Sequence, residues 1–378
     1  MKILIATDWY APTVNGVVTS VLNLERRLRE RGHEVRVLTV SEKLRSHKTD
    51  TTYYIRSVSA PIYPEARIGF VKHRYYKEIV EWAPDIIHTQ CEFSTYIMAL
   101  AIAKKLQIPV VHTYHTVYEE YTHYFCPNKK LGKVVVSVLT RNLLKPVKAV
   151  IAPTEKVKNL LAEYKVHKEL YVLPTGIELE RFEKVLSEEE KAALRQELEI
   201  PPENKIMLFL GRLAKEKNVS EIIEYFKELN RSDVTLLIAG GGPYFKELKA
   251  EAEKKCQGLS VVFTGMIKPD DVWKYYKLGD FFVSASTSET QGLTYIEALA
   301  NSLPALCRKD PCIDGVVKNN INGFQYESFE EFKTFAEKVL EDEAFRKEMS
   351  EAAYETAQGY STQIFAEKAE EIYIKALS

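Results

Sequence analysis

Two apolar patterns alternate along the chain. Short unbroken runs, such as Ile3-Leu4-Ile5-Ala6, Ile206-Met207-Leu208-Phe209-Leu210 and Leu236-Leu237-Ile238-Ala239, are separated by stretches in which apolar residues recur every third or fourth position. Runs of that length predict strands buried on both faces, and the longer period predicts helices that cover them. In the first half the pattern gives strands at residues 2–7, 34–40, 85–88, 109–113, 148–154 and 169–176. A helix through Val17, Val21, Leu24 and Leu28 and another over 94–106 lie between them. A second series gives strands at 205–210, 234–239, 261–267 and 280–285, with helices at 293–300, 329–340, 344–357 and 363–377. Repeated βα alternation implies an α/β class with parallel sheets, and 378 residues suffice for two cores of roughly 180 residues each. The expected domains are residues 1–178 and 179–360, with a closing helix over 361–378. The charged segment 178–202 reads as a linker containing a helix.

The polar positions gain meaning from where this pattern places them. Residues 281–304 read as strand, sharp polar loop and helix, with Glu289 on the loop and Glu297 on the helix. Free backbone N–H groups around Gly292, Leu293 and Thr294 at the helix start suit an anion, and a phosphate is the natural guest. Two acids beside a phosphate repel it unless they hold hydroxyl groups on either side, which is the outline of a nucleotide sugar. Both glutamates are equally legible as a capping acid and a solvated one. The strand at 205–210 runs into Gly211-Arg212-Leu213-Ala214-Lys215-Glu216-Lys217, where the Arg212 fork and the Lys217 point charge can neutralise a diphosphate, or simply face solvent. Gly240-Gly241-Gly242 leaves the strand at 234–239 without side chains to obstruct a ligand. The loop ending in Gly16 lacks G-x-G-x-x-G, which disfavours a dinucleotide dehydrogenase. His112 and His115 end the strand at 109–113. Two histidines three apart with no third ligand do not make a metal site.

Charge adds a division. Residues 1–180 hold 26 Lys and Arg against 18 Asp and Glu, whereas residues 181–378 hold 26 against 35. Within the basic half, 129–148 contains no acid: Lys129, Lys130, Lys133, Arg141, Lys145 and Lys148 share one helical arc, and Leu131, Val134, Val135, Val138, Leu139 and Leu143 share the other, up to a stop near Pro146. Three readings stand: a core-packed helix with a solvated basic face, a helix on single-stranded nucleic acid, and a helix lying on an anionic bilayer, which is preferred. Arg67, Lys72, His73, Arg74 and Lys77, among Phe70, Tyr75 and Tyr76, extend the basic surface. Cys91, Cys126, Cys256, Cys307 and Cys312 have no metal spacing and read as the reduced thiols of a cytosol. No apolar run approaches the ~18 residues of a spanning helix, so the expected location is cytoplasmic and peripheral on the inner face of the membrane.

The run Ser288-Glu289-Thr290-Gln291-Gly292-Leu293-Thr294-Tyr295-Ile296-Glu297-Ala298-Leu299-Ala300-Asn301-Ser302-Leu303-Pro304 resembles the donor-site signature of the retaining family-four glycosyltransferases, with Ser302 where many relatives have Gly. The Gly211–Lys217 run is similar to the same family. Pro12-Thr13-Val14-Asn15-Gly16, His112-Thr113-Tyr114-His115-Thr116 and Leu173-Pro174-Thr175-Gly176 look most like its bacterial diacylglycerol α-glucosyltransferases. The resemblance implies the GT-B architecture, two doubly wound Rossmann-like domains facing a cleft, with the acceptor on the first, the donor on the second and the last helix returning to the first. It implies His115 and Glu289 as catalytic residues, His115 facing the donor sugar and Glu289 gripping its hydroxyls. It places Gly16, Gly211, Arg212, Lys217, Gly292, Leu293 and Thr294 around the diphosphate, Glu297 on the ribose, and Gly240, Met266 and Ile267 near the base. Implied partners are UDP-glucose, diacylglycerol and an anionic membrane surface, without nucleic acid. No D-x-D motif is present, so fixed charges rather than an essential metal are expected to stabilise the leaving group in a front-face attack.

Overall fold

The computed structural model describes residues 1–13, 15–59, 67–70, 74–119 and 129–378. Val14, Lys72, His73 and Cys126 lie outside the described residues, as do the side chains of Lys129 and Lys130. Two compact units divide the chain: Met1–Gly176 with Thr362–Ser378, and Ile177–Ser361.

The first unit contains β1 (Lys2–Ala6), α1 (Gly16–Glu30), β2 (Glu34–Val40), β3 (His47–Lys48), β4 (Thr52–Ile55), β5 (Ser57–Ser59), β6 (Arg67–Gly69), α2 (Tyr75–Trp82), β7 (Ile86–Thr89), α3 (Ser94–Leu106), β8 (Val110–Thr113), α4 (Lys129–Leu144), β9 (Ala149–Ala152), α5 (Glu155–Glu163) and β10 (Glu169–Val172). Its main sheet has the order β10-β9-β8-β7-β1-β2-β4-β3, parallel except for the β3–β4 edge pair. Successive side chains of a strand leave by opposite faces. Leu4 therefore joins Leu38, Ile87 and Val150 in one core, while Ile3 and Ile5 join Val21 and Leu24 of α1 in another.

The second unit contains α6 (Glu188–Glu197), β11 (Lys205–Leu210), α7 (Val219–Leu229), β12 (Val234–Ala239), α8 (Phe245–Lys255), β13 (Ser260–Gly265), α9 (Val272–Leu278), β14 (Phe281–Ser284), α10 (Leu293–Ala300), β15 (Ala305–Arg308), β16 (Gly323–Tyr326), α11 (Phe329–Glu341) and α12 (Glu343–Gln358). Its sheet, order β13-β12-β11-β14-β15-β16, is parallel throughout. Ile206 and Leu208 face Ile296 and Leu299 of α10; Met207 and Phe209 face Ile222 and Phe226 of α7. A last helix, α13 (Thr362–Leu377), returns to the first unit, where Phe365, Ala369 and Tyr373 complete the α1 core.

Two expectations are corrected. The segment 178–202 is not a linker: Phe182, Leu186 and Ile200, together with Ile177, are buried in the core of the second unit, and α6 starts in a capping box between Ser187 and Glu190. The helix α4 stops at Leu144, ahead of Pro146 as expected, so Lys145 and Lys148, which the sequence places on its basic arc, lie beyond it. Most of the apolar arc of α4 stands outside the core, with Leu143 packed against it. Val136, Thr140 and Leu144 are buried, whereas Leu131, Val134 and Leu139 are 56%, 57% and 62% exposed and Val135 and Val138 are exposed beside them.

Candidate functional site

In an open parallel sheet the order of strands reverses at one point, and the loops leaving the strands there diverge into a crevice that accepts ligands. In the second unit this point lies between β11 and β14, whose neighbours are β12 on one side and β15 on the other. The loops that leave their carboxyl ends carry Arg212 and Lys217, and Glu289 and Gly292. Fold topology alone therefore brings together residues about eighty positions apart in sequence. Lys217 Nζ forms an ion pair with Glu289 Oε1, and Ser288 Oγ donates to the Glu216 carbonyl at 3.2 Å, which stitches the two loops together.

Gly292 is the N-cap of α10 at φ +71°, and no side chain caps the helix. A Cβ at this position would lie 2.3 Å from the Tyr295 ring, so the glycine is required by local packing as well as by any anion that approaches the helix start. Leu293 and Thr294 form the half-buried first turn. One turn further, Glu297 Oε2 accepts from Tyr276 Oη at 2.9 Å. Burial raises the Glu297 carboxyl pKa, against the hydrogen bond from Tyr276 and the charge of Arg181.

The glycine exit from β12 has a packing reason of its own. A Cβ on Gly240, at φ +137°, would meet the Gly211 carbonyl oxygen at 2.0 Å, and one on Gly242 would meet that of Leu213 at 2.3 Å. These glycines let the β12 loop pack against the β11 loop backbone, with Leu213 N donating to the Gly241 carbonyl at 2.9 Å. Met266 and Ile267 follow β13; Met266 is exposed and Ile267 packs on the core.

In the first unit the order reverses between β1 and β7. Asp8 follows β1, Gln90 and Glu92 follow β7, and His112 and His115 leave β8. His112 is fully buried, with Nδ1 2.8 Å from Thr89 Oγ1 and Nε2 3.3 Å from Glu92 Oε1, which makes it a structural ring. Tyr118 Oη donates to the other Glu92 oxygen at 2.7 Å. His115 is half-buried, 2.7 Å from Gln90 Oε1 through Nε2. Burial lowers its pKa to about 4, although Glu92 pulls it upward, so the ring is neutral near neutral pH. Gly16 opens α1, capped by the Asn15 side chain, which accepts from Val18 N at 2.9 Å. Among the described residues no three His, Cys, Asp or Glu side chains converge as a metal site, and Cys91, Cys256, Cys307 and Cys312 are free and buried.

Sequence reasoning missed Asp8, Gln90 and Glu92, although a polar residue directly after a buried strand was the available signal. Asp8 lines a cavity of about 500 Å³ with Trp9, Tyr10, Lys43, His47 and Tyr54, and Arg67 adds a cation to its wall. Burial raises the Asp8 pKa to about 6, against hydrogen bonds from Thr95 N at 3.2 Å and Thr95 Oγ1 at 3.1 Å. A carboxyl whose pKa is higher folded than unfolded stabilises the fold only while it is protonated, and that stabilisation is lost as pH rises through 3.8 to about 6. Ionised Asp8 thus costs about 3 kcal/mol at neutral pH. Asp8→Asn is expected to raise the melting temperature at about pH 7.5 and leave it unchanged at about pH 4, as scanning calorimetry at both pH values will read. An equal gain at both would show that Asp8 is not the titrating group.

Two family models match the chain: "Glycosyltransferase Family 4" over residues 14–181 and "Glycosyl transferases group 1" over 190–356. An α-monoglucosyldiacylglycerol synthase of Streptococcus pneumoniae is 39% identical over 332 residues, which is 86% of this chain and 75% of that protein. One from Acholeplasma laidlawii is 32% identical over 99% of this chain and 97% of its own. Among solved structures, Anabaena HepE in complex with UDP superposes with a TM-score of 0.76 at 17% identity, covering 99% of this chain and 100% of that one. Sucrose-phosphate synthase from Thermosynechococcus elongatus gives 0.77 at 17%, covering 99% and 98%. At those identities the structures establish the fold, two Rossmann-like domains of the GT-B type.

Proposed function

This chain belongs to the family-four glycosyltransferases, and from that premise we propose that it transfers glucose from UDP-glucose, with retention, to the 3-hydroxyl of 1,2-diacylglycerol at an anionic membrane surface. The lipid part rests on one observation: Leu131, Val134, Val135, Val138 and Leu139 of the apolar arc of α4, which a helix in a soluble protein would turn to the core, are exposed. It agrees with the names of the two synthases to which the chain is similar. Among the described residues no helix is long and apolar enough to cross a membrane, so attachment is assigned to this surface helix, peripheral on the inner face.

The donor falls to the second unit. Arg212, Lys217 and the backbone at Gly211 and at Gly292, Leu293 and Thr294 take the diphosphate, whose departing charge they stabilise without rearranging. Glu297 takes the ribose hydroxyls, and Gly240, Met266 and Ile267 border the base. Glu289 passes from its salt bridge with Lys217 to the sugar hydroxyls as the phosphate takes over the lysine. His115, neutral at working pH, can support the positive charge that grows on the sugar ring without adding charge of its own. Asp8 and its cavity take the acceptor glycerol. Front-face attack then lets the leaving phosphate accept the acceptor proton.

Two other readings use the same fold, a protein-modifying transferase and a nucleotide-sugar epimerase. They are separated by incubating the enzyme with labelled UDP-glucose alone, with soluble polypeptides, or with diacylglycerol in anionic vesicles. Label is expected in organic-extractable lipid only in the third case. Epimerised donor in the first, or labelled polypeptide in the second, would replace this reading.

A further inference from the structure

His115 is held by Gln90, and Gln90 is held in turn by groups that reach back to the last helix of the chain. The anchor is His88 on β7, fully buried, with Nδ1 2.6 Å from Tyr373 Oη of α13 and Nε2 2.7 Å from Thr113 Oγ1 of β8. Both ring nitrogens thus have a hydroxyl at hydrogen-bond distance. Gln90 Nε2 nevertheless lies 3.2 Å from Nδ1 and 3.1 Å from Nε2. A group that close to both nitrogens cannot lie in the ring plane, where it would collide with the Cε1–H between them, so it lies over the face of the ring. That face is electron-rich and attracts N–H rather than a carbonyl oxygen. Turning the amide over would put Oε1 against the ring and the NH₂ group against His115.

The amide orientation is therefore decided by His88, not by His115. With its nitrogen over His88, Gln90 presents Oε1 to His115 Nε2 at 2.7 Å. A carbonyl oxygen only accepts, so His115 Nε2 carries the proton and Nδ1 keeps the lone pair. We propose that Gln90 is a positioning residue that locks His115 in its neutral Nε2–H tautomer, with Tyr373 and His88 as the outer support. This rests on the assignment of His115 to the sugar made above. The groups that face His115 electrostatically are Glu92, which favours its protonation, and His112, which opposes it. The uncharged amide of Gln90 holds the ring without tipping that balance. An imidazolium there would repel the positive charge growing on the sugar, which is the chemical reason for a glutamine where a carboxylate would bind the ring more tightly. The arrangement also gives α13 a part in the reaction: through Tyr373 it orients a group at the opposite end of a side-chain relay.

Imidazole ¹⁵N correlation spectra of the full-length protein test this directly, because the two neutral tautomers and the imidazolium have distinct nitrogen signatures. The parent is expected to show His115 protonated at Nε2 and neutral throughout the mildly acidic range. Gln90→Leu is expected to lose that single-tautomer signature and to lower kcat roughly fivefold to tenfold, the equivalent of one hydrogen bond, with donor KM unchanged. Gln90→Glu is expected to bring the His115 titration up toward neutral pH and to shift the acid limb of the kcat profile with it. Tyr373→Phe leaves the ring packing in place, so a partial loss of the Nε2–H signature in that variant separates orientation from folding. A parent-like His115 signature in Gln90→Leu overturns the inference. An altered signature with unaltered turnover overturns instead the assignment of His115 to the reaction.

Discussion

Lys217→Ala is expected to lower kcat/KM for glucosyl transfer by about 10²–10³-fold, the loss seen when one preorganised stabiliser of a developing anion is removed. Lys217 leaves β11 and Glu289 leaves β14, the two strands between which the order of the second sheet reverses, and their side chains meet in an ion pair. With the cation gone, Glu289 repels the diphosphate instead of turning to the sugar, so UDP affinity and turnover fall together. Glu297→Gln keeps a partner for Tyr276 but loses one of the two carboxyl oxygens that could accept from ribose hydroxyls, and it is expected to weaken donor binding more than it slows the bound complex. Titration calorimetry with UDP and steady-state kinetics read both variants. Unchanged UDP affinity in Lys217→Ala would remove the donor from this crevice.

The second large effect is expected on the outer face of α4. Leu131, Val134 and Leu139 each stand more than half in water, so replacing all three with serine leaves the fold intact while removing about 3–4 kcal/mol of burial in a lipid surface. Vesicle partitioning should fall by two orders of magnitude or more, and glucosylation of bilayer-held diacylglycerol should fall with it. UDP binding should persist, and detergent-dispersed acceptor should restore much of the rate. The structure shifts weight from charge to apolar contact. Lys145 and Lys148 lie beyond the helix, and Lys133 is 3.1 Å from Glu163 and 3.6 Å from Glu119, so α4 itself carries fewer unpaired cations than the six the sequence places on it. Added salt should weaken attachment less than six free cations would require. Wild-type sedimentation of the serine variant with anionic vesicles would make the exposed arc incidental.

What the sequence made legible follows from how strongly each segment is constrained by its own residues. The strands at 205–210 and 234–239 and the helices at 94–106 and 293–300 have the expected bounds because buried apolar runs and full helical faces leave little choice. β15 and β16 do not stand out because Arg308, Gly323 and Gln325 leave their apolar residues in short, interrupted sets. The segment around α6 misled because charge dominates its composition, yet a few well-spaced apolar residues, Phe182, Leu186 and Ile200, fasten it to the core. The placement of Arg212 and Lys217 on one loop and Glu289 on another was legible because Gly211 and Gly292 mark the polar stretches that follow β11 and β14, and Glu297 was legible as a residue of the helix that follows. Gln90 and Asp8 were not, because their roles depend on partners far away in sequence: Tyr373 reached through His88, and Thr95. The orientation of α4 was equally hidden, since helical periodicity separates two arcs but does not say which of them meets the core.

The most direct test of the central claim is the structure of the product. Enzyme supplied with ¹³C-labelled UDP-glucose and diacylglycerol in anionic vesicles is expected to yield one labelled lipid, whose NMR spectrum shows an α-anomeric carbon bonded through oxygen to C3 of the glycerol. A β-linked product would contradict front-face retention at this donor site, and a complete absence of labelled glycolipid under conditions where UDP-glucose binds would contradict the acceptor assignment itself.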